Sequence, residues 1–139
     1  MSAVLLFCLV VGIADGDTLR ARCDDLPVKS IRLAEVDAPE KAQPFGQASK
    51  QHLAGLCFQK RAVVEPKGRD RFGRMVARVR CEGTDASAEQ AMSGLAWAFT
   101  QYLTDPAIGR LEAEARAARR GLWTDPNPVA PWVWRRERR

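Results

Sequence analysis

The sequence predicts an α+β fold, a small antiparallel barrel of five β-strands carrying three α-helices. Three observations predict it. Apolar, β-branched runs broken by turn residues fill most of the first half. One stretch of helical periodicity interrupts them at 44–57. Two stretches with helix-start signals occupy the second half. A length of 139 residues suits one domain, and a hydrophobic content of 46% is enough to build its core. No apolar run reaches the roughly 20 residues of a spanning helix, so no membrane partner is expected.

The elements follow in order. The segment from Ala3 to Ala14 is almost wholly apolar, yet has no Lys or Arg before it and no small-residue cleavage site. It therefore reads as a first strand (4–14) rather than an export signal. Asp15-Gly16 is a tight hairpin turn, because both residues tolerate positive φ. A second strand (17–23) returns from it. Centring the turn there pairs Ala14 with Asp17, Gly12 with Leu19, Val10 with Ala21 and Cys8 with Cys23. Directly opposed residues are close enough for a disulfide, so a Cys8–Cys23 bond is expected, leaving Cys57 and Cys81 as a second pair. The alternative is four reduced thiols. Bonded cysteines would place the protein in an oxidising compartment, secreted or periplasmic, with an export signal outside this chain.

A third strand runs from Val28 to Val36. Pro44 to Cys57 is helical, with Phe45, Ala48, His52 and Leu56 on one face. Arg61–Glu65 is a short strand stopped by Pro66, Lys67 to Gly73 a polar turn, and Arg74–Cys81 a further strand. Ser87 to Gln90 matches a capping box opening a short helix. Asp105 is an N-cap with Pro106 at the first helical position, and Gly121 closes the helix that follows. Residues 1–125 form the domain. Residues 126–139, rich in Pro, Trp and Arg, form a tail expected to lie extended on it. This pattern makes an OB-fold the candidate barrel, and such barrels often bind nucleic acid.

Composition narrows the chemistry. The single His52 excludes an HExxH zinc site and any two-histidine acid–base pair, and CxxC, Walker A and GxGxxG motifs are absent. A Ser49–His52 nucleophile–base pair is disfavoured, since no carboxylate orients the ring. Catalysis must rest on carboxylates and arginines. Lys+Arg 22 against Asp+Glu 17 gives a net charge of +5. Four arginines against Glu137 in the last five residues supply +3 of it, and these read as a solvated end. The remainder is only mildly basic.

Three clusters sit at strand ends: Asp15-Gly16-Asp17-Thr18, then Arg32 to Glu40 with Asp37-Ala38-Pro39-Glu40, and Asp70-Arg71-Phe72-Gly73-Arg74. Each alone is an ordinary turn or helix entry. Together they assemble what metal-assisted phosphodiester hydrolysis needs. Two aspartates supply charged oxygens to a hard cation. Arginine forks grip phosphate oxygens as charge builds on them. A further carboxylate orients or deprotonates water. Strict alternation puts Arg32 and Asp37 on opposite faces, so the strand must end or bulge between them. It also places Glu35 on the face of Ile31 and Leu33.

These motifs, with Gly94-Leu95-Ala96-Trp97 and Gly121-Leu122-Trp123, resemble the staphylococcal nuclease family from about Val10 to Trp123. The resemblance implies a five-stranded OB-barrel with three helices. It implies Ca²⁺-dependent cleavage of DNA and RNA at the P–O5′ bond, by an endonuclease or exonuclease leaving 3′-phosphates, on single-stranded or frayed substrate. It implies that Asp17, Asp37 and the Ala38 carbonyl ligate Ca²⁺. Arg32 and Arg74 would stabilise the transition state, and Glu40 would act as general base or orient water. Arg71 falls where the family has a basic residue near the terminal phosphate, and Tyr102 falls near a base-stacking aromatic. Phe72 departs from the family's common tyrosine, and 41–46 is shorter than the lysine-rich loop of its best-known member. No obligate protein partner is implied. A non-catalytic nucleic-acid-binding module on the same barrel, or an unrelated protein-binding barrel, are the other readings.

Overall fold

The first hairpin forms as expected at its open end and departs from the expectation toward its turn. The computed structural model describes residues 4–138; Ala3, the first residue of the apolar segment, and Arg139, the last of the tail, lie outside them. β1 (Leu6–Asp15) and β2 (Thr18–Cys23) pair Cys8 with Cys23 and Val10 with Ala21. Two register shifts then intervene, so Gly12 faces Arg20, Ile13 faces Leu19, and Asp15 faces Thr18. Each bulge adds a residue to β1 and increases its local twist, which helps a short sheet to close. Neither Asp15 nor Gly16 has a positive φ. Glycine is needed at 16 for room instead, because a Cβ there would lie 1.8 Å from Ser49 Oγ.

β3 (Lys29–Leu33) ends three residues before the expected boundary. Glu35 then takes a left-handed φ of 77°, and the chain resumes as β4 (Val36–Asp37). This is the break that the Arg32–Asp37 spacing demands. Glu35 is buried, but its face is not wet: Thr104 N donates to Oε2 at 2.8 Å and the Thr104 hydroxyl donates to Oε1. Hydrogen bonds replace the water that a buried carboxylate would otherwise need.

α1 (Gly46–Cys57) follows, then β5 (Arg61–Arg69) and β6 (Met75–Cys81). Pro66 does not stop β5. It pairs with Ala77, and after a bulge the pairing resumes at Gly68 and runs to Arg69. The sheet order is β3-β2-β1-β5-β6. A parallel pairing of β3 with β6 closes it into a five-stranded barrel, setting Arg32 beside Val76 and Leu33 beside Ala77. A short β7 (Thr84–Asp85) extends from β6. Val10, Leu19, Ile31, Leu33, Val64, Ala77 and Val79 fill the interior without exposure.

Among the described residues four α-helices pack on the barrel, one more than expected. α2 (Ala86–Met92) starts one residue after Asp85, whose side chain accepts from Ala88 N at 3.0 Å. Asp85, not Ser87, is therefore the cap. The Ser87 hydroxyl is buried and donates to the Ala34 carbonyl, and Gln90 Nε2 donates to the Gly16 and Ser49 carbonyls. β8 (Trp97–Ala98) pairs with β4. α3 (Pro106–Ala117) is capped by Asp105, which accepts from Ala107 N at 2.9 Å and also pairs with Arg78 Nη1 at 2.8 Å. The tail is not extended: α4 (Pro131–Glu137) lies across the body. Both expected disulfides, Cys8–Cys23 and Cys57–Cys81, are formed, and no free cysteine remains.

Candidate active site

The three sequence clusters meet at the end of the barrel where β1 turns into β2 and where β3 and β6 run side by side. Asp17 occupies the hairpin turn and is buried. Its Oδ2 accepts from Ala38 N at 2.8 Å and its Oδ1 accepts from the Thr18 hydroxyl at 2.9 Å. The Ala38 bond fixes the segment after β4 against the hairpin, so residues 21 positions apart share one wall. Asp37 is 1% exposed, held in place by the β4–β8 pairing.

Arg32 lies between the two aspartates. Its Nη2 is 3.1 Å from Asp37 Oδ1 and 3.6 Å from Asp17 Oδ2. Its Nη1 donates to the Leu33 and Val36 carbonyls, which wraps the side chain around the break in the strand. The guanidinium also sits 5.3 Å from the Phe99 ring centroid. Arg74 enters from the start of β6. Asp70 Oδ2 accepts from its Nε at 2.7 Å, and its Nη1 lies 3.4 Å from Thr18 Oγ1. The hairpin tip that carries it is folded by Asp70 Oδ1, which accepts from Phe72 N and Arg74 N.

Glu40 stands at the opposite side of Asp37 on the loop leading to α1. Its carbonyl is packed so closely against Gly46 that a Cβ there would lie 2.0 Å away, and its N–H donates to Gln43 Oε1 at 3.0 Å. The short 41–46 segment therefore folds back tightly and sets the Glu40 side chain beside Asp37. A residue absent from the expected set joins them here. Arg135, from α4, reaches Asp37 Oδ2 at 2.7 Å and Glu40 Oε1 at 2.8 Å. The unbroken line of contacts is Arg74, Thr18, Asp17, Arg32, Asp37, Arg135, Glu40. Arg71 and Tyr102 stand outside it. Arg71 is exposed at the hairpin tip with its guanidinium 5.0 Å from the Phe72 centroid, and Tyr102 is exposed with its ring edge on Phe99.

So many carboxylates in so little water push one another's protonation. Burial raises Asp15 to about 7, with the Asp17 charge adding to it. Asp17 is held below the ordinary carboxylate value: burial would raise it, but the Arg32 charge and hydrogen bonds from Asp15, Ala38 and Thr18 outweigh that. Burial lifts Asp37 to about 6 against the lowering pull of Arg135. The Asp17 charge makes it harder for Asp15 to ionise as well, so the two carboxyls shift in opposite directions.

Family membership follows from the comparisons. A family model described as staphylococcal nuclease homologue matches residues 30–125. An uncharacterized endonuclease of Haemophilus influenzae is 43% identical over 130 residues, covering 94% of this chain and 73% of its own length. The chain belongs to the staphylococcal nuclease family. A micrococcal nuclease of Shigella flexneri is 39% identical over 138 residues, 91% of this chain and 79% of that protein. A probable staphylococcal-like nuclease of Oryza sativa subsp. japonica is 37% identical over 109 residues, 78% of this chain but 33% of that longer protein.

The donor set at this family's site suits a hard cation. Asp17 and Asp37 both come within 3.6 Å of one Arg32 nitrogen, so their carboxylates converge on a single positive centre. Among the described residues no three His, Cys, Asp or Glu side chains form a closed metal cluster. A cation held here would therefore draw on backbone and water oxygens as well, as Ca²⁺, with six to eight oxygen ligands, readily does. The Ser49–His52 pairing does not form: Ser49 donates to the Leu95 carbonyl at 2.6 Å, and the His52 ring nitrogens face Gln90 and Ser93. Neither Arg135 nor Gln43 carried a motif that would have marked it in the sequence. Both act through tertiary contacts spanning more than 80 residues.

Proposed function

We propose that this chain is a Ca²⁺-dependent nuclease that hydrolyses DNA and RNA at the P–O5′ bond, leaving 3′-phosphates. The observation that carries the reading is a convergent aspartate pair with Arg32 between its two members, Arg74 reaching the Thr18 beside Asp17, and a third carboxylate alongside. Asp17 and Asp37, with the Ala38 carbonyl, would hold the cation, which when bound would supply Lewis-acid polarisation of a phosphate oxygen. Arg32 and Arg74 present planar forks to the equatorial oxygens as negative charge grows there. Glu40 orients the attacking water and accepts its proton. A bond forms between the water oxygen and phosphorus, the P–O5′ bond breaks, and the departing O5′ takes up a proton. Arg74, at the outer edge of the line, favours that departure.

Single-stranded or frayed nucleic acid suits the surface around the site. Phe72 is 70% exposed and lies 5.0 Å and 5.6 Å from the Arg71 and Arg74 guanidinium carbons. An exposed ring flanked by arginines is a stacking platform that pairs with phosphate contacts, and it requires an unpaired base. Four cysteines joined in two disulfides support a secreted or periplasmic setting, since reducing cytosol disfavours such bonds.

The test is digestion of single-stranded DNA with Ca²⁺ or with chelator, on wild type and Arg74→Ala. Chelator should abolish cleavage, and the variant should lose at least about 10²-fold in kcat. Binding without cleavage under every condition would instead favour the non-catalytic module. Equal cleavage in all tubes would defeat the mechanism.

A further inference from the structure

The acidic half of the site already holds a cation, supplied by the chain itself. Arg135 Nη2 lies 2.7 Å from Asp37 Oδ2, while its Nη1 lies 3.2 Å from Asp37 Oδ1 and 2.8 Å from Glu40 Oε1. The fork spans both oxygens of Asp37, and Arg32 takes a further position on Oδ1. A carboxylate offers about four lone-pair sites, so Asp37 has little left to give a metal while Arg135 is in place. A divalent cation and a guanidinium at one carboxylate also repel each other at short range, in a setting of weak screening.

The segment that delivers Arg135 is pinned by three contacts, at Val129 and Trp132. Gln43 Nε2 donates to the Val129 carbonyl at 2.5 Å, and the same side chain's Oε1 accepts from Glu40 N. Trp132 stacks on Phe99 with centroids 5.5 Å apart and planes 4° from parallel. Trp132 also meets Trp97 edge-on at 5.7 Å. Phe99 is the ring against which Arg32 rests, and Gln43 braces the loop of Glu40. The anchors of α4 are thus the supports of the site residues themselves. The charge of Arg135 is directed into the site by a built contact, and the reading of this end as merely solvated does not hold for it.

We propose that Arg135 is a further positioning residue of the site, an internal counter-ion that occupies Asp37 and Glu40 until a divalent cation displaces it from Asp37. Cation binding is then an exchange rather than an addition. The metal-free enzyme keeps its carboxylates paired, and the arriving cation frees Asp37 and, through the shared fork, loosens Glu40 for its work on water. The inference rests on the Ca²⁺ reading of the proposed function.

The experiment is calorimetric titration of the full chain with Ca²⁺ alone, for wild type, Arg135→Ala, Arg135→Lys and Asp37→Asn. Removing the competitor should tighten Ca²⁺ binding by Arg135→Ala at least about tenfold. Arg135→Lys keeps the charge but loses the fork, and should fall between wild type and Ala. Asp37→Asn should bind much more weakly than wild type. A purely structural role for Arg135 predicts the reverse, equal or weaker binding in Arg135→Ala, and that result overturns the exchange while leaving the Ca²⁺ reading intact. No Ca²⁺ binding by wild type or Arg135→Ala overturns both. Should Arg135→Ala fail to fold, Arg135→Lys decides, and an affinity no tighter than wild type overturns the proposal.

Discussion

At the scale of single residues, the site depends on contacts so close that small side-chain additions are felt. Gly16 lies against Ser49 and Ala38, where a Cβ would come within 1.8 Å of the Ser49 oxygen and 2.9 Å of the Ala38 Cβ. Gly16→Ala should therefore cost roughly 1–3 kcal/mol of stability by overpacking, read as a lowered denaturation midpoint. Because Ala38 is tied to Asp17, the same change should weaken cleavage more than stability alone explains. Asp17, Asp37, Arg32 and Arg74 were legible in the sequence because they cluster in short motifs at strand ends. Arg135 was not, because it is one of four arginines within the last five residues. Nothing local distinguishes the one that a helix aims inward from those left in solvent.

Among the elements, the caps and breaks decide geometry. Asp105 caps α3 and also binds Arg78, which in turn pairs with Asp85, the cap of α2. Two helix starts are thus fastened to β6 through one guanidinium. Asp105→Ala should cost about 1 kcal/mol through the lost cap, measured by urea denaturation. The Arg78 hydrogen bond, then the bond from Ala107, holds the Asp105 carboxyl below its ordinary 3.8. A depressed carboxyl contributes stability that is full above 3.8 and fades as pH falls below it through the folded value. Wild type should accordingly lose more stability than Asp105→Ala over that acid range. The sequence marked the α3 cap correctly because Asp-Pro is a strong local signal. It misplaced the α2 cap because Ser87 and Gln90 fit the capping pattern but are drawn into buried bonds with Ala34, Gly16 and Ser49 instead. The break after Leu33 was legible from face alternation. The bulges in β1 and at Pro66 were not, since they answer to barrel closure rather than to local preference.

For the molecule as a whole, two disulfides and one parallel seam hold the barrel shut. Cys8–Cys23 spans 15 residues within the first hairpin, and Cys57–Cys81 spans 24, tying α1 to β6. Closing loops of these lengths contributes about 3 kcal/mol each by restricting the unfolded chain. Full reduction should lower the thermal midpoint by well over ten degrees, and Cys57→Ala/Cys81→Ala alone should account for about half of that. The seam has a different consequence. Ile31 meets Met75 across 44 positions of chain, a pairing that local contacts do not assist and that forms slowly. Until it zips, Arg32 and Arg74 hang on opposite sides of an open gap. On the proposed mechanism a half-made chain would leave nucleic acid intact, and cutting power would arrive only once that seam is closed.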